Sequence, residues 1–212
     1  MYHIIERYLT LIHRVLYKYY KMIYAIVAYG DPVLRKVTVD IDKSVDVQKL
    51  SEDMFETMYN AKGVGLAAPQ VGLNLRIFVV DGRPFNEGED MEERDKDPSL
   101  IDFKQVFINA DILDEKGKEW AFEEGCLSIP DIREDVYRPE LVTINFFDEN
   151  WVEHTKTYEG LAARIIQHEY DHIDGVLFTD HLNPVKKRML KNKLAKITKG
   201  IVDVEYKMKF PR

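Results

Sequence analysis

The segment from His168 to His172, with the sequence H-E-Y-D-H, carries the residue types and spacing that most directly suggest chemistry. On a helix, two histidines four residues apart stand on one face, so their imidazole nitrogens can bind one divalent metal ion. Glu169 points to a neighbouring sector, where its carboxylate can reach a water molecule beside the metal. The alternative is a pair of core histidines with satisfied hydrogen bonds. Leu161 and Ile165 share this face, which indicates that it points into the core. In the alternative, two imidazoles with a carboxylate beside them would be buried there without a function, which is costly. The motif therefore predicts a metal-dependent hydrolase.

A catalytic site of this kind needs a third protein ligand and an open coordination position. In a metzincin the third histidine would fall where Phe178 stands, and His181 comes three residues too late. A thermolysin-like enzyme takes a downstream glutamate from a second helix, but Glu205 lies in an alternating segment that is a poor helix former. Cys126 remains, and a Cys-His-His set would leave one tetrahedral position for water. The alternative for Cys126 is a small buried thiol.

A glycine-rich segment from Gly63 to Gly72 is small and almost uncharged. Gly63 and Gly65 permit close approach of the backbone to a ligand. Gln70 is the one long polar side chain in the segment, and a buried glutamine amide can donate to an oxyanion. The alternative is a tight loop packed against a sheet.

These three segments together resemble the motifs of the peptide deformylase family, which have the forms G-x-G-x-A-A-x-Q, E-G-C-x-S and H-E-x-D-H. They occur here in that order at residues 63–70, 124–128 and 168–172, and the resemblance extends from about Met22 to Lys199. It implies removal of the formyl group from the N-formylmethionine that begins newly synthesised bacterial or organellar proteins.

The resemblance also implies roles for individual residues. Cys126, His168 and His172 would be the metal ligands, and Glu169 would act first as general base and then as general acid. Members of the family use Fe(II) natively and are often prepared with Zn, Ni or Co. The ligand set alone does not distinguish iron from zinc, since cysteine and histidine suit both metals.

Two further groups of residues follow from the same resemblance and from their position beside the motifs. Gln70 and the backbone N–H of Leu127 would form the oxyanion hole, with the backbone at Gly65 alongside. The side chains predicted to surround the substrate are Val64, Leu161, Ile165 and the stem of Arg164, with Arg133 guiding the peptide beyond the methionine. At position 164 we expect an apolar residue in many relatives, so the arginine is a departure from the pattern.

Hydrophobic periodicity predicts the elements that position these residues. Helices are predicted at about 47–61, 160–173 and 184–199, and strands at 24–28, 76–80 and 105–109, with a hairpin formed by 141–147 and 152–158. Because strands come mostly before the main helix, the predicted class is α+β, with antiparallel sheets packed around a central helix that carries the H-E-x-x-H motif.

Composition limits the other possibilities. The chain has 212 residues, of which 45% are hydrophobic and 32% charged, as in ordinary globular proteins. A formal net charge of −7 argues against a general affinity for DNA, and no apolar run approaches the roughly 20 residues of a membrane span. The single cysteine cannot form an internal disulfide, so we expect a reducing, cytoplasmic compartment.

The predicted catalytic domain covers residues 22–212 and includes a basic C-terminal helix at 184–199, and three segments of the chain have a role that the motifs do not explain. Residues 1–21 form an N-terminal extension, interpreted as a surface helix or as residues upstream of a start at Met22. The acidic stretch 84–102 is predicted to be a mobile surface loop. The stretch from Lys186 to Lys199 is basic without an acidic residue, and it is either the solvated face of a helix or a transient contact with ribosomal RNA.

Two other functions remain open at this point. A metallopeptidase cleaving internal peptide bonds would need a longer cleft and would accept unformylated peptides. A structural metal site in a binding module would need a fourth protein ligand, and Glu169 would then have no role.

Overall fold

The fold is built on a five-stranded antiparallel sheet, in agreement with the predicted α+β class. A computed structural model describes residues 21–87 and 97–211. The strands are β1 (Ile26–Val27), β2 (Gly65–Ala67), β3 (Ile77–Asp81), β4 (Lys104–Cys126), β5 (Ile129–Phe147), β6 (Glu153–Glu159) and β7 (Met208–Lys209). The larger sheet has the order β2-β3-β4-β5-β6. Strands β1 and β7 form a second, two-stranded sheet, in which the pairing is parallel.

Three α-helices match the three predicted helices to within one residue at each end. They are α1 (Val47–Asn60), α2 (Gly160–Ile173) and α3 (Pro184–Thr198). The side chains of Asp46 and Asn183 cap the first and last of them by accepting hydrogen bonds from backbone amides of the first turn. Helix α2 follows β6 directly, and the turn is made at Gly160, whose φ of +59° is readily adopted by glycine.

Helix α2 packs its apolar side against one face of the sheet. Ala163 and Ile166 are fully buried there, among aromatic side chains of three neighbouring strands. The ring of Phe107 lies 4.6 Å from that of Phe78 and 4.4 Å from that of Phe146, centroid to centroid. A buried aromatic side chain of this kind contributes about 2–3 kcal/mol through burial. This packing fixes the position of the helix that carries the H-E-x-x-H motif.

The second face of the sheet is covered by α1, whose Met54 and Met58 are fully buried against Val79 and Ile108. The glycine-rich segment 63–72 lies between this helix and α2. It contains β2 and a one-turn 3₁₀ helix at Ala68–Val71, rather than an irregular loop. The two helices therefore hold it from opposite sides.

Strands β4 and β5 are much longer than the sequence indicated. The predicted segments 105–109 and 141–147 are only their apolar ends, and the pairing continues to Gly125 opposite Arg133. Beyond its apolar end β4 is largely exposed, and in β5 the buried Ile132 and Val136 are separated by charged residues, so neither part shows the regular apolar alternation by which strands are recognised. The extension matters because it places Cys126 at the far end of β4.

Parts of two other predictions lie outside the described residues, namely 1–20 of the N-terminal extension and 88–96 of the acidic loop. The described ends of that loop form 3₁₀ turns at Arg83–Asn86 and Pro98–Leu100. Leu100 is fully buried in the core cluster of α2, so the prediction of a mobile surface loop was wrong at this end. Within 21–87 and 97–211, none of the helices has both the length and the apolar character needed to cross a membrane.

Candidate active site

One cavity of about 730 Å³ collects residues from the three sequence motifs. Its walls include Gly65 and Gln70 from the glycine-rich segment, Cys126 from the end of β4, and His168 and Glu169 from α2. These residues are separated by up to about a hundred positions in the chain, and the packing of α2 against the sheet brings them together.

The sulfur of Cys126 and one nitrogen from each of His168 and His172 lie within 4.8 Å of one another. The Cys126 Sγ is 3.2 Å from His172 Nε2. Nδ1 of His168 lies 2.9 Å from a carboxylate oxygen of Glu124, which leaves its Nε2 free to face the thiol. A thiolate and two imidazoles converging on one point are a donor set suited to a divalent transition metal, so these residues fit the predicted metal site.

The electrostatics of Cys126 also suit a metal ligand. Burial alone would raise the pKa of the thiol, but His172 and His168 lower it to about 5. The sulfur is therefore a thiolate at neutral pH even in the metal-free protein, and thiolate is the form that binds metals.

Glu124 lies at the centre of a buried ionic cluster. The sequence did not lead to a functional role for this glutamate. Its carboxylate accepts hydrogen bonds from Arg138 at 2.7 and 3.0 Å and from Arg164 at 3.0 Å, in addition to its contact with His168. Although burial raises the pKa of Glu124, the hydrogen bonds from His168 and Arg138 hold it well below its usual range. The cluster fixes the orientation of the His168 ring, and the glutamate of the E-G-C-x-S motif was the available signal.

Arg164 both lines the cavity and belongs to the Glu124 cluster. Its side chain borders the cavity, but its guanidinium bonds Glu124 and the carbonyl oxygens of Trp120 and Val136, at 2.6 and 3.1 Å. The same group lies 4.6 Å from the centre of the Trp120 ring. An arginine is tolerated where an apolar residue was expected because its charge is compensated by Glu124.

The carboxylate of Glu169 has an unusual position. It is 4% exposed, and its Oε2 has no hydrogen-bond partner among the described residues. Burial raises the pKa of Glu169 to about 7, in spite of the lowering effect of His168 and His172. A carboxylate with this pKa can both accept and donate a proton near neutral pH.

Gly65 makes room for this carboxylate. A Cβ atom at position 65 would lie 2.3 Å from Glu169 Oε1 and 2.6 Å from its Cδ. Any side chain there would displace the glutamate, so the structure requires glycine for steric reasons rather than for a special φ.

Gln70 and Leu127, the residues predicted for the oxyanion hole, both border the cavity. The Oε1 of Gln70 accepts a hydrogen bond of 2.8 Å from the backbone N–H of Ala67, which orients the amide. Its Nε2 therefore faces the site, where it donates to Cys126 Sγ at 3.4 Å. Leu127 stands in the turn between β4 and β5, immediately after the cysteine.

The structure places most, but not all, of the residues predicted to surround the substrate at the cavity. Val64, Arg133 and Ile165 border the cavity together with Arg164. Leu161 packs instead against the core cluster under α2 and is not among the described residues that line the cavity. Sequence reasoning missed other lining residues, including Phe85, Ile129, Ile132 and the segment 203–206 near the C-terminus.

Comparison with known proteins places the chain in a family. Residues 23–188 match the family model described as polypeptide deformylase. The chain is 59% identical over 191 residues to the peptide deformylase of Christiangramia forsetii, covering 90% of this chain and 97% of that protein. It is 58% identical over 191 residues to that of Cytophaga hutchinsonii, with 90% and 98% covered.

Solved structures agree with this assignment. The crystal structure of peptide deformylase from Thermus thermophilus has a TM-score of 0.73 and 36% identity, over 84% of this chain and 99% of that one. A peptide deformylase from Legionella pneumophila gives a TM-score of 0.68 and 37% identity, with 84% and 97% covered. The chain therefore belongs to the polypeptide deformylase family, whose members are metal-dependent enzymes that remove the N-formyl group from nascent peptides.

Proposed function

We propose that this chain hydrolyses the formyl amide of N-formylmethionyl nascent peptides through one divalent metal held by Cys126, His168 and His172. The observation that carries the assignment is the convergence of these three donor atoms within 4.8 Å of one another, beside the cavity that Cys126, His168 and the unpartnered Glu169 carboxylate line. Fe(II) is the proposed metal in the cell, and Zn, Ni or Co would be accepted in a preparation. When bound, such an ion polarises a carbonyl oxygen and lowers the pKa of water.

Glu169 is the proposed proton carrier. It takes a proton from the attacking water and later gives it to the amine nitrogen that leaves. Its pKa of about 7 suits both steps, because the carboxylate is basic enough to accept and the acid is strong enough to donate. The products are formate and a free N-terminus.

Gln70 Nε2 and the backbone N–H of Leu127 are the proposed donors to the formyl oxygen as negative charge develops on it, with the backbone of Gly65 alongside. Support comes from the Ala67–Gln70 hydrogen bond, which holds the amide in this orientation before substrate arrives. Removing one donor of this type typically costs about 3 kcal/mol of transition-state stabilisation.

The methionine side chain is proposed to lie against Val64 and Ile165, with Arg133 contacting the peptide backbone that follows. Both apolar residues border the cavity beside the metal-binding residues. A thioether side chain is flexible and polarisable and suits such an apolar wall.

The direct test measures formate released from a formyl-Met peptide by protein loaded with Fe(II) under anaerobic conditions. Glu169→Ala is expected to abolish turnover while metal content stays equal to wild type. The matched control is Glu52→Ala, which removes an exposed glutamate on α1 and should leave turnover unchanged. Full activity in Glu169→Ala would refute its assigned role. Cleavage of unformylated peptides at internal bonds would indicate the alternative metallopeptidase.

We further propose that the protein acts in the cytoplasm and contacts ribosomal RNA through the basic stretch Lys186–Lys199. Arg188, Lys191 and Lys193 are exposed on α3, whereas Lys186 is paired with Glu134 at 2.7 Å. Exposed cations of this kind bind a phosphate backbone in a salt-dependent manner.

Co-sedimentation with ribosomes at increasing salt tests this contact. The double change Arg188→Glu and Lys191→Glu should reduce the bound fraction, and low salt should partly restore it. Lys156→Glu on β6 is the control, because it changes one exposed charge outside the basic stretch. Equal co-sedimentation of wild type and double variant would exclude the contact.

A further inference from the structure

The C-terminal segment that follows α3 borders the active-site cavity. Asp203, Val204, Glu205 and Tyr206 are among its lining residues, together with residues of the glycine-rich segment and α2. These residues lie beyond position 188, where the match to the family model ends. We call residues 201–211 the C-terminal tail.

The tail is anchored on both sides of the cavity-lining residues. After α3 the chain turns at Gly200, and the N–H of Ile201 donates to the carbonyl of Lys196 at 2.9 Å. At the other end β7 pairs with β1, and Met208 and Phe210 pack against a core cluster that includes Ile129.

An ion pair also joins the tail to the segment after α1. Lys62 Nζ lies 2.6 Å from Glu205 Oε2, but the two side chains are 80% and 83% exposed. Such an exposed pair contributes little to stability. The tail is therefore held at the cavity by the strand pairing and by apolar contacts.

One side chain of the tail reaches the catalytic backbone. The hydroxyl of Tyr206 donates a hydrogen bond of 2.8 Å to the carbonyl oxygen of Leu127. Leu127 directly follows the cysteine ligand, and its N–H is a proposed oxyanion donor. Tyr206 is only partly exposed, so water competes weakly for this hydrogen bond.

The turn at Leu127 requires outside support. Cys126 pairs with Ile129, which leaves Leu127 and Ser128 as a two-residue connection between β4 and β5. Two-residue hairpin connections normally adopt types I′ or II′, which need a positive φ, and neither residue has one. The carbonyls of this turn are instead bonded from outside, by Tyr206 at Leu127 and by the N–H of Tyr29 at Ser128, each at 2.8 Å.

We infer that Tyr206 is a positioning residue of the deformylation reaction, which holds the Leu127 backbone so that its N–H points at the formyl oxygen. The C-terminal tail thereby becomes part of the active site, although it lies outside the segment matched by the family model. This inference rests on the proposed function, in particular on the role of the Leu127 N–H.

Tyr206→Phe is the sharpest test, because it removes only the hydroxyl oxygen and keeps the ring. Loss of one partly buried hydrogen bond should lower kcat about three- to tenfold. The KM for a formyl-Met-Ala-Ser peptide and the metal content should stay within about twofold of wild type, since the ring and the metal ligands are untouched. Tyr137→Phe is the matched control, because Tyr137 is 65% exposed and does not line the cavity.

A second readout separates positioning from general support of the fold. Binding of the deformylated product Met-Ala-Ser, measured by calorimetry, should be unchanged in Tyr206→Phe, because the oxyanion donor acts only in the transition state. Unchanged kcat would overturn the inference. A fall in kcat that follows a loss of metal, of product binding or of melting temperature would also overturn it. If the wild-type protein itself releases no formate, the proposed function fails instead.

Discussion

Replacing Gly65 with alanine should inactivate the enzyme by moving Glu169, without touching the metal ligands. The added Cβ would lie 2.3 Å from Glu169 Oε1 and 2.7 Å from its Cγ. A carbon and an oxygen that are not bonded normally approach no closer than about 3.3 Å. The carboxylate must therefore move by about 1 Å, and it has little room because only 4% of the residue is exposed.

A displacement of this size is expected to lower kcat/KM about 100-fold, since catalytic groups misplaced by 1 Å commonly lose that factor. Overpacking should also destabilise the protein by about 1–3 kcal/mol. Metal content should remain at the wild-type level, because the three atoms nearest to the new methyl group all belong to Glu169 and none belongs to Cys126, His168 or His172.

The assay is a double-mutant cycle of Gly65→Ala and Glu169→Ala followed by thermal unfolding, with formate release measured for Gly65→Ala alone. In the Glu169→Ala background the clash is gone, so Gly65→Ala should cause a smaller loss of stability than it does in the wild-type protein. If the two substitutions were additive in stability, Gly65 would act independently of Glu169, and the steric reasoning would be refuted.

Three other outcomes are expected. Glu124→Ala should destabilise the fold by about 3–5 kcal/mol in chemical denaturation and weaken metal binding about 10–100-fold. It removes the carboxylate partner of buried Arg164 and of the proposed ligand His168, and it leaves Arg138 with Asp171 as its remaining carboxylate. Removing the metal with a chelator should abolish formate release and lower Tm, and adding Fe(II) should restore both. Burial raises the pKa of Asp148, but hydrogen bonds, above all from His154, lower it overall. The ionised carboxylate therefore stabilises the folded protein above about pH 4, and this stabilisation is lost as the pH falls through the lowered pKa. Asp148→Ala should therefore destabilise the protein by about 1–2 kcal/mol at neutral pH, and its difference in stability from wild type should shrink as the pH falls through the lowered pKa of Asp148.

Much of the local structure follows from short-range patterns. The helices at 47–60, 160–173 and 184–198 were predicted because the apolar residues and end residues that indicate each helix lie close together in the sequence. The apolar ends of β4 and β5 were predicted for the same reason, whereas their charged middle parts were missed. Those parts owe their strand conformation to hydrogen bonds with a distant partner strand, which leave no periodic pattern in the sequence.

In the candidate site, too, residues close together in the sequence could be grouped from local patterns, whereas distant ones are brought together by the fold. His168, Glu169 and His172 could be grouped from the sequence because one helix places them together. Cys126 was singled out by excluding other third ligands, and Gln70 as the one long polar side chain of its segment; the motif resemblance then linked both to the helix residues. The fold brings all five to one cavity or to the cluster of proposed ligands beside it.

The sequence by itself determined the family, the chemistry of the proposed metal ligands and the helix that presents two of them. Only the tertiary structure decided that the guanidinium of Arg164 bonds Glu124, that Gly65 makes room for Glu169, and that Tyr206 reaches Leu127. Each of these contacts joins residues at least 40 positions apart in the chain. They depend on how helices, strands and the tail pack against one another, and local residue patterns do not encode that packing.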